Sequence, residues 1–285
     1  MSAPVPSAWR CRRVDAAGTT LAVYEAGSDA GDAPVVLLLH GLGHWTDAAW
    51  GRLVPLLDPA LRYVAFDLPG FGASGKPDRR YDRAFFRGAV DDALTALGVE
   101  RIALVGHSLG GFVAADWAGA HPHRVRSLAL IAPAAFTRSP RHVALALLAN
   151  GITRALFTVA PPRGVVARVL RLAVANPASI DAEHLARAYA HTQDRAVRRA
   201  FRNVYAGALP SFARRRALHA DLARYRGPVF CAWGKHDRYV PIAGLRGVLR
   251  IYPHAQTLVL KNSGHLPIIE QPHDLAAALR PFLSS

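Results

Sequence analysis

Cysteine is nearly absent from this chain: Cys11 and Cys231 are the only two among 285 residues. Cys231 lies inside the apolar run Val229-Phe230-Cys231-Ala232-Trp233 and reads as a buried filler rather than as half of a disulfide. Lysine is almost as scarce, confined to Lys76, Lys235 and Lys261. Long hydrophobic runs are missing too. None reaches the roughly 18 residues needed to span a bilayer. The first ten residues contain no apolar core of a secretory signal. These absences set a reducing cytoplasm as the default compartment.

Arginine is what abounds. The net charge is +15, carried on a composition rich in arginine, alanine, glycine and proline. A GC-rich genome produces such a composition without any function behind it, but the distribution along the chain is uneven. Residues 134–226 hold 16 Arg, no Lys and four acids (Asp181, Glu183, Asp194, Asp221), which is +12 of the total +15. Arg195, Arg198, Arg199 and Arg202 recur at helical spacing, and Arg214-Arg215-Arg216 form a second cluster. An apolar stretch, His142–Ile152, and then Arg154–Ala160 precede them, with Arg163, Arg168 and Arg171 following. Such a segment suits three readings: a solvated basic face, peripheral contact with an anionic membrane or anionic substrate, and nucleic-acid binding. The last has the least support, since neither a nucleic-acid module nor interleaved aromatics are present.

At 51% hydrophobic residues, the chain can bury a substantial core, and its length fits one large domain or one domain with an insertion. Strands are expected at Leu21–Tyr24, Val35–Leu39, Tyr63–Phe66, Ile102–Val105, Leu128–Ile131, Val229–Ala232 and Thr257–Leu260. Several are apolar throughout, as in a parallel sheet covered on both faces. Helices are expected near Ala84–Leu97, Ser108–Ala120 and Asp274–Phe282, so strands alternate with helices in an α/β pattern. The alternation stops near residue 134 and resumes at Gly227-Pro228-Val229. The expected organisation is therefore a core of residues 1–133 and 227–285, with a helical insertion at 134–226 above the C-terminal edge of the sheet, where ligands bind in such folds.

Gly106-His107-Ser108-Leu109-Gly110 follows the run Ile102–Val105 directly. A strand, a sharp turn bearing serine and a helix form the nucleophile-elbow pattern G-x-S-x-G. Small residues are needed at Gly106 and Gly110 because a side chain there would collide with neighbouring backbone. The helix start offers free N–H groups and the positive end of its dipole beside Ser108. A serine hydroxyl needs a base, and the base needs an orienting group. The order Ser, Asp, His is completed by Asp237, after the strand Val229–Ala232, and His265, after the last strand. No rival acid follows Leu128–Ile131. His107 is assigned to packing, and His236 is disfavoured because it precedes its own orienter in one short turn. Oxyanion donors are expected at the N–H of Leu109 and, in the loop His40-Gly41-Leu42-Gly43-His44, at Leu42, with Gly43 as the fallback.

Together, His40–Gly43, the turn Asp67-Leu68-Pro69-Gly70-Phe71-Gly72-Ala73-Ser74, the elbow, Trp233-Gly234-x-x-Asp237 and Ser263-Gly264-His265 resemble the α/β-hydrolase superfamily over almost the whole chain. The likeness is to the lid-bearing branch that includes carboxylesterases, lipases, C–C bond hydrolases and cofactor-free haloperoxidase-like enzymes. It implies a mostly parallel sheet flanked by helices, with a helical lid after the sixth core strand. It also implies hydrolysis of carboxylic esters through an acyl-enzyme on Ser108, without metal or organic cofactor. By the same resemblance Asp67, Gly70, Gly72 and Ser74 form a structural turn. Serine at position 108 argues against the haloalkane dehalogenases and epoxide hydrolases, which use aspartate there. C–C hydrolases of vinylogous diketone acids commonly carry asparagine where this chain has His107, which leaves that reading second. A hydrolase-fold protein kept for ligand or membrane binding without chemistry is the non-enzymatic alternative. The apolar lid points to a small hydrophobic ester as substrate.

Overall fold

The computed structural model describes residues 9–136, 157–208 and 215–284. Eight strands form one sheet: β1 (Arg10–Ala16), β2 (Thr19–Gly27), β3 (Val35–Leu39), β4 (Arg62–Phe66), β5 (Ile102–His107), β6 (Val125–Ile131), β7 (Val229–Gly234) and β8 (Gln256–Leu260). Their spatial order is β1-β2-β4-β3-β5-β6-β7-β8. β1 and β2 are antiparallel additions to β4, and every pair from β4 to β8 is parallel.

Side chains on a strand alternate between its two faces, so a strand covered on both sides must be apolar throughout. β3 is Val-Val-Leu-Leu-Leu and entirely buried. Leu37 and Leu39 enter one core with α2 (Arg83–Ala96) and α3 (Leu109–Ala120), while Val36 and Leu38 enter the opposite core with α1 (Thr46–Trp50) and α10 (Pro272–Ser284). The sheet thus separates two helical layers. α8 (Leu245–Ile251) joins the first layer and α9 (Pro267–Glu270) the second.

The apolar runs locate seven strands but not β1. Its sequence, Arg-Cys-Arg-Arg-Val-Asp-Ala, buries only Val14 and Ala16, because β1 is an edge strand with one neighbour. Counting it makes β6 the sixth strand. Between β6 and β7 the described residues carry four α-helices, one short 3-10 turn (Pro177–Ser179) and no strand: α4 (Arg163–Ala173), α5 (Ala182–Gln193), α6 (Arg195–Gly207) and α7 (Arg215–Leu222). The expected stretch His142–Ile152, Arg154 and Arg214 lie outside the described residues. Among the described residues no helix is long and apolar enough to cross a membrane. Cys11 and Cys231 are both free thiols, the second fully buried.

Candidate active site

β5 ends at His107, and α3 begins at Leu109. Between them Ser108 takes φ 53° and ψ −114°, a conformation that L-residues rarely adopt and that surrounding structure must enforce. The enforcement is visible. The Ser108 N–H donates to the Ile131 carbonyl (3.0 Å), and the Ser108 carbonyl accepts from Phe112 (3.1 Å) and Ala134 (2.9 Å). A Cβ on Gly106 would overlap the Gly110 carbonyl, and one on Gly110 would overlap the Leu39 carbonyl. The turn therefore presses between β3 and α3 at its closest points.

Beside the serine, the structure brings together the two other residues selected from sequence. His265 Nε2 lies 2.9 Å from Ser108 Oγ, and His265 Nδ1 lies 2.7 Å from Asp237 Oδ2. The carboxylate fixes the tautomer: Nδ1–H donates to Asp237, which leaves Nε2 to accept from the serine hydroxyl. Asp237 Oδ1 is held in turn by the N–H groups of Tyr239 and Val240, each at 2.8 Å. The Asp237 side chain has no solvent exposure. Serine, imidazole and carboxylate thus form one hydrogen-bonded relay, able to draw a proton from Ser108 and return it to a leaving group.

The loop after β3 packs on this relay. A Cβ on Gly41 would crowd His107 Nδ1 and Ser108 Cβ. His40 is wholly buried; its Nε2 accepts from the Leu68 N–H (2.8 Å), so its Nδ1–H donates to the Gly41 carbonyl (2.8 Å). The His44 N–H donates to the same carbonyl (3.2 Å). In a planar trans peptide the next N–H, that of Leu42, points the opposite way. Leu109 opens α3, where the first N–H groups have no acceptor within the helix. The fallback Gly43 takes φ 75° with the Phe201 ring against its Cα.

The turn after β4 is a scaffold for that loop. Asp67 accepts from the N–H groups of Thr46 and Ala73 (both 2.7 Å) and from the Tyr24 hydroxyl (3.2 Å). Ser74 Oγ accepts from the Ala22 N–H (2.9 Å) and donates to the Asp67 carbonyl. Gly72 has φ 51°, and a Cβ there would collide with the Asp67 carboxylate.

Sequence reasoning missed several supports. His107 Nε2 donates to the His265 carbonyl (2.8 Å), so the residue assigned to packing also holds the base loop. Burial pushes its pKa down to about 3, so the ring is neutral. Glu270 accepts from Gly264 (2.6 Å), Ala175 (2.7 Å) and Asn176 (3.0 Å), tying the base loop to the segment after α4; burial raises its pKa against those bonds. The His265 N–H donates to the Ala173 carbonyl (2.6 Å), and the Tyr239 hydroxyl donates to the Val169 carbonyl. α4 is thereby bonded to both the acid and base loops. No sequence signal pairs residues this far apart; Glu270 reads only as a polar residue before Gln271-Pro272.

The arginines expected on one solvated face of α6 are largely committed to the protein itself. Arg198 is buried and donates to the carbonyls of Thr192 (2.9 Å) and Gln193 (2.7 Å). Arg199 donates to Lys76 O (3.0 Å) and Arg202 to Phe157 O (2.7 Å). A guanidinium has five donors, so arginine can satisfy backbone carbonyls where helices meet loops. The solvated basic face therefore does not describe α6; only Arg195 of the four is exposed.

A family model for the alpha/beta hydrolase fold matches residues 34–272. The chain belongs to the α/β-hydrolase fold family. Its curated relatives include a monoacylglycerol lipase of Xenopus laevis, 27% identical over 92% of this chain and 79% of that protein. They also include a 2-hydroxy-6-oxo-6-(2'-aminophenyl)hexa-2,4-dienoic acid hydrolase of Metapseudomonas resinovorans, 25% identical over 98% of this chain and 92% of that one. A solved bacterial membrane phospholipase A superposes with a TM-score of 0.79 at 28% identity, covering 97% of this chain and 86% of that chain. The α/β-hydrolase relatives of this chain thus include both lipases and a dienoic acid hydrolase.

Proposed function

We propose that this α/β-hydrolase is a serine hydrolase of carboxylic esters. The observation that carries the reading is the Ser108–His265–Asp237 relay at the start of α3. In this mechanism Ser108 Oγ attacks the ester carbonyl as His265 Nε2 takes its proton, and Asp237 stabilises the imidazolium that forms. The oxyanion is held by the N–H groups of Leu109 and Leu42, each donor supplying about 2.7–4 kcal/mol of transition-state stabilisation. The imidazolium protonates the leaving alcohol. Water, activated by the same ring, then releases the acid. The lipase relative and the phospholipase neighbour support an ester as substrate.

The dienoic acid hydrolase relative supports a second reading, C–C bond cleavage of a vinylogous diketone acid. That substrate carries a carboxylate and calls for a cation facing the relay. The arginines next to the loop after β3 are already paired, Arg187 with Asp47 (2.9 Å) and Arg52 with Asp181 (3.0 Å), which favours the neutral ester.

The test is turnover of p-nitrophenyl esters of increasing acyl length by the wild type and Ser108→Ala. Ester turnover that disappears in Ser108→Ala supports the reading, and its chain-length optimum sizes the acyl pocket. Absence of turnover on every ester, together with ultraviolet-visible turnover of a dienol acid, refutes it in favour of C–C hydrolysis.

A further inference from the structure

Buried polar side-chain atoms are almost always hydrogen-bonded, so a cluster of unpartnered ones asks for an occupant. Such a cluster lies where the loop after β3 meets α5. His44 Nδ1, Trp45 Nε1, Thr46 Oγ1 and His184 Nε2 are all buried without a hydrogen-bond partner. The rings touch one another: His44 and His184 have centroids 5.7 Å apart, and Trp45 and His184 5.4 Å. His44 is 8% exposed.

The cluster adjoins the relay. The His44 ring lies 6.1 Å from His107, whose ring lies 5.0 Å from His265. His265 is the group that hands a proton to the leaving oxygen in the proposed mechanism. The leaving oxygen of that mechanism therefore lies beside His265, at one end of this row of rings.

Its chemistry is that of a neutral polar group. Burial lowers the pKa of His44 well below its ordinary value and lowers that of His184, with His44 also depressed by the neighbouring histidines. Each neutral imidazole offers one N–H donor and one acceptor, the complement of a hydroxyl group. Among the described residues, the arginines beside the cluster are already engaged: Arg187 is bound to Asp47, while Arg52 is bound to Asp181 and reaches the Ser179 and Ile269 carbonyls. Among the described residues the histidines do not gather with a third ligand into a metal-binding group.

We propose that His44 and His184 form a polar subsite for a free hydroxyl on the alcohol portion of the substrate, which makes a short polyol ester a better substrate than the matching alkyl ester. This rests on the ester-hydrolase reading above. Two butyrates of the same carbon skeleton test it, 2,3-dihydroxypropyl butyrate and n-propyl butyrate, with p-nitrophenyl butyrate as the reference for ester hydrolysis.

The expected wild-type kcat/KM favours the dihydroxypropyl ester by about tenfold. His44→Phe and His184→Phe keep an aromatic ring in place while removing the polar nitrogens. Each is expected to bring the ratio of the two esters several-fold closer to one. Thermal melts establish that each variant is folded, and the leucine variant at the same position, His44→Leu or His184→Leu, replaces a phenylalanine variant that is not. A wild-type ratio near one, or a ratio retained in the folded variants, overturns the proposal and leaves the cluster as a site for bound water only. Failure of the wild type on p-nitrophenyl butyrate would instead sink the ester-hydrolase reading, and this inference with it.

Discussion

Replacing Asp237 by asparagine perturbs a single atom of the relay while keeping its shape. Asp237 accepts three hydrogen bonds: Oδ1 from the N–H groups of Tyr239 and Val240, and Oδ2 from His265 Nδ1–H. An amide has one oxygen. The two backbone N–H groups can donate only, so they claim that oxygen, and the NH2 group turns towards His265. A donor facing Nδ1 forces the imidazole into its other tautomer, with the proton on Nε2. Nε2 then has no lone pair for the serine hydroxyl 2.9 Å away. The corresponding change in a serine-protease triad lowers kcat by about four orders of magnitude. That corresponds to roughly 5.4 kcal/mol in the barrier at about 1.36 kcal/mol per decade. We expect a loss of similar size here for Asp237→Asn in kcat on p-nitrophenyl butyrate at neutral pH. KM should change little, since Asp237 is shielded from the substrate behind His265. A thermal melt close to wild type would show that the backbone bonds survive. A folded variant within tenfold of wild-type kcat would refute the assignment of Asp237 as the orienting acid.

Acid should destabilise the fold through its buried histidines. His107 titrates at about 3 in the fold against an ordinary 6.5, because burial disfavours the charged ring. A depressed histidine contributes stability that is fully present above the unfolded value and is lost as the pH falls from about 6.5 towards 3, a change of a few kcal/mol. The melting temperature should drop between pH 7 and pH 4, and less steeply in His107→Gln; parallel curves for the two proteins would contradict this. Within the arginine-rich segment 134–226, the proposed lipid contact is better placed on α4 than on α6. That helix exposes Val165 (50%), Val169 (49%) and Leu172 (39%) beside exposed Arg163, Arg168 and Arg171, with no acid of its own. Sedimentation with phosphatidylglycerol vesicles should exceed that with phosphatidylcholine and should fall in the double variant Val165→Asp/Val169→Asp. Equal sedimentation of the protein with both vesicles, or of the variant with the wild type, would dispose of this lipid contact.

The central strands and the elbow were legible in the sequence because their causes are local. A strand buried on both faces has to be apolar at every position, and β3 was located to the residue. A serine wedged between β3 and α3 has to be flanked by glycine. The order of Ser108, Asp237 and His265, each just beyond a strand end, followed from the same pattern. β1 left no such trace, since an exposed edge strand imposes no hydrophobic rule on most of its residues. The tertiary structure alone decided how remote groups meet. It turned arginines that look like a charged surface into donors for Lys76, Phe157, Thr192 and Gln193 carbonyls, and it tied Gly264 to Ala175 and Asn176 through Glu270. It also brought His44 and His184, 140 positions apart in number, into ring contact beside the relay. Periodicity and turn chemistry are properties of neighbouring residues and can be read along the chain. The partner of a buried polar atom is chosen by the packing of distant segments, which no local pattern records.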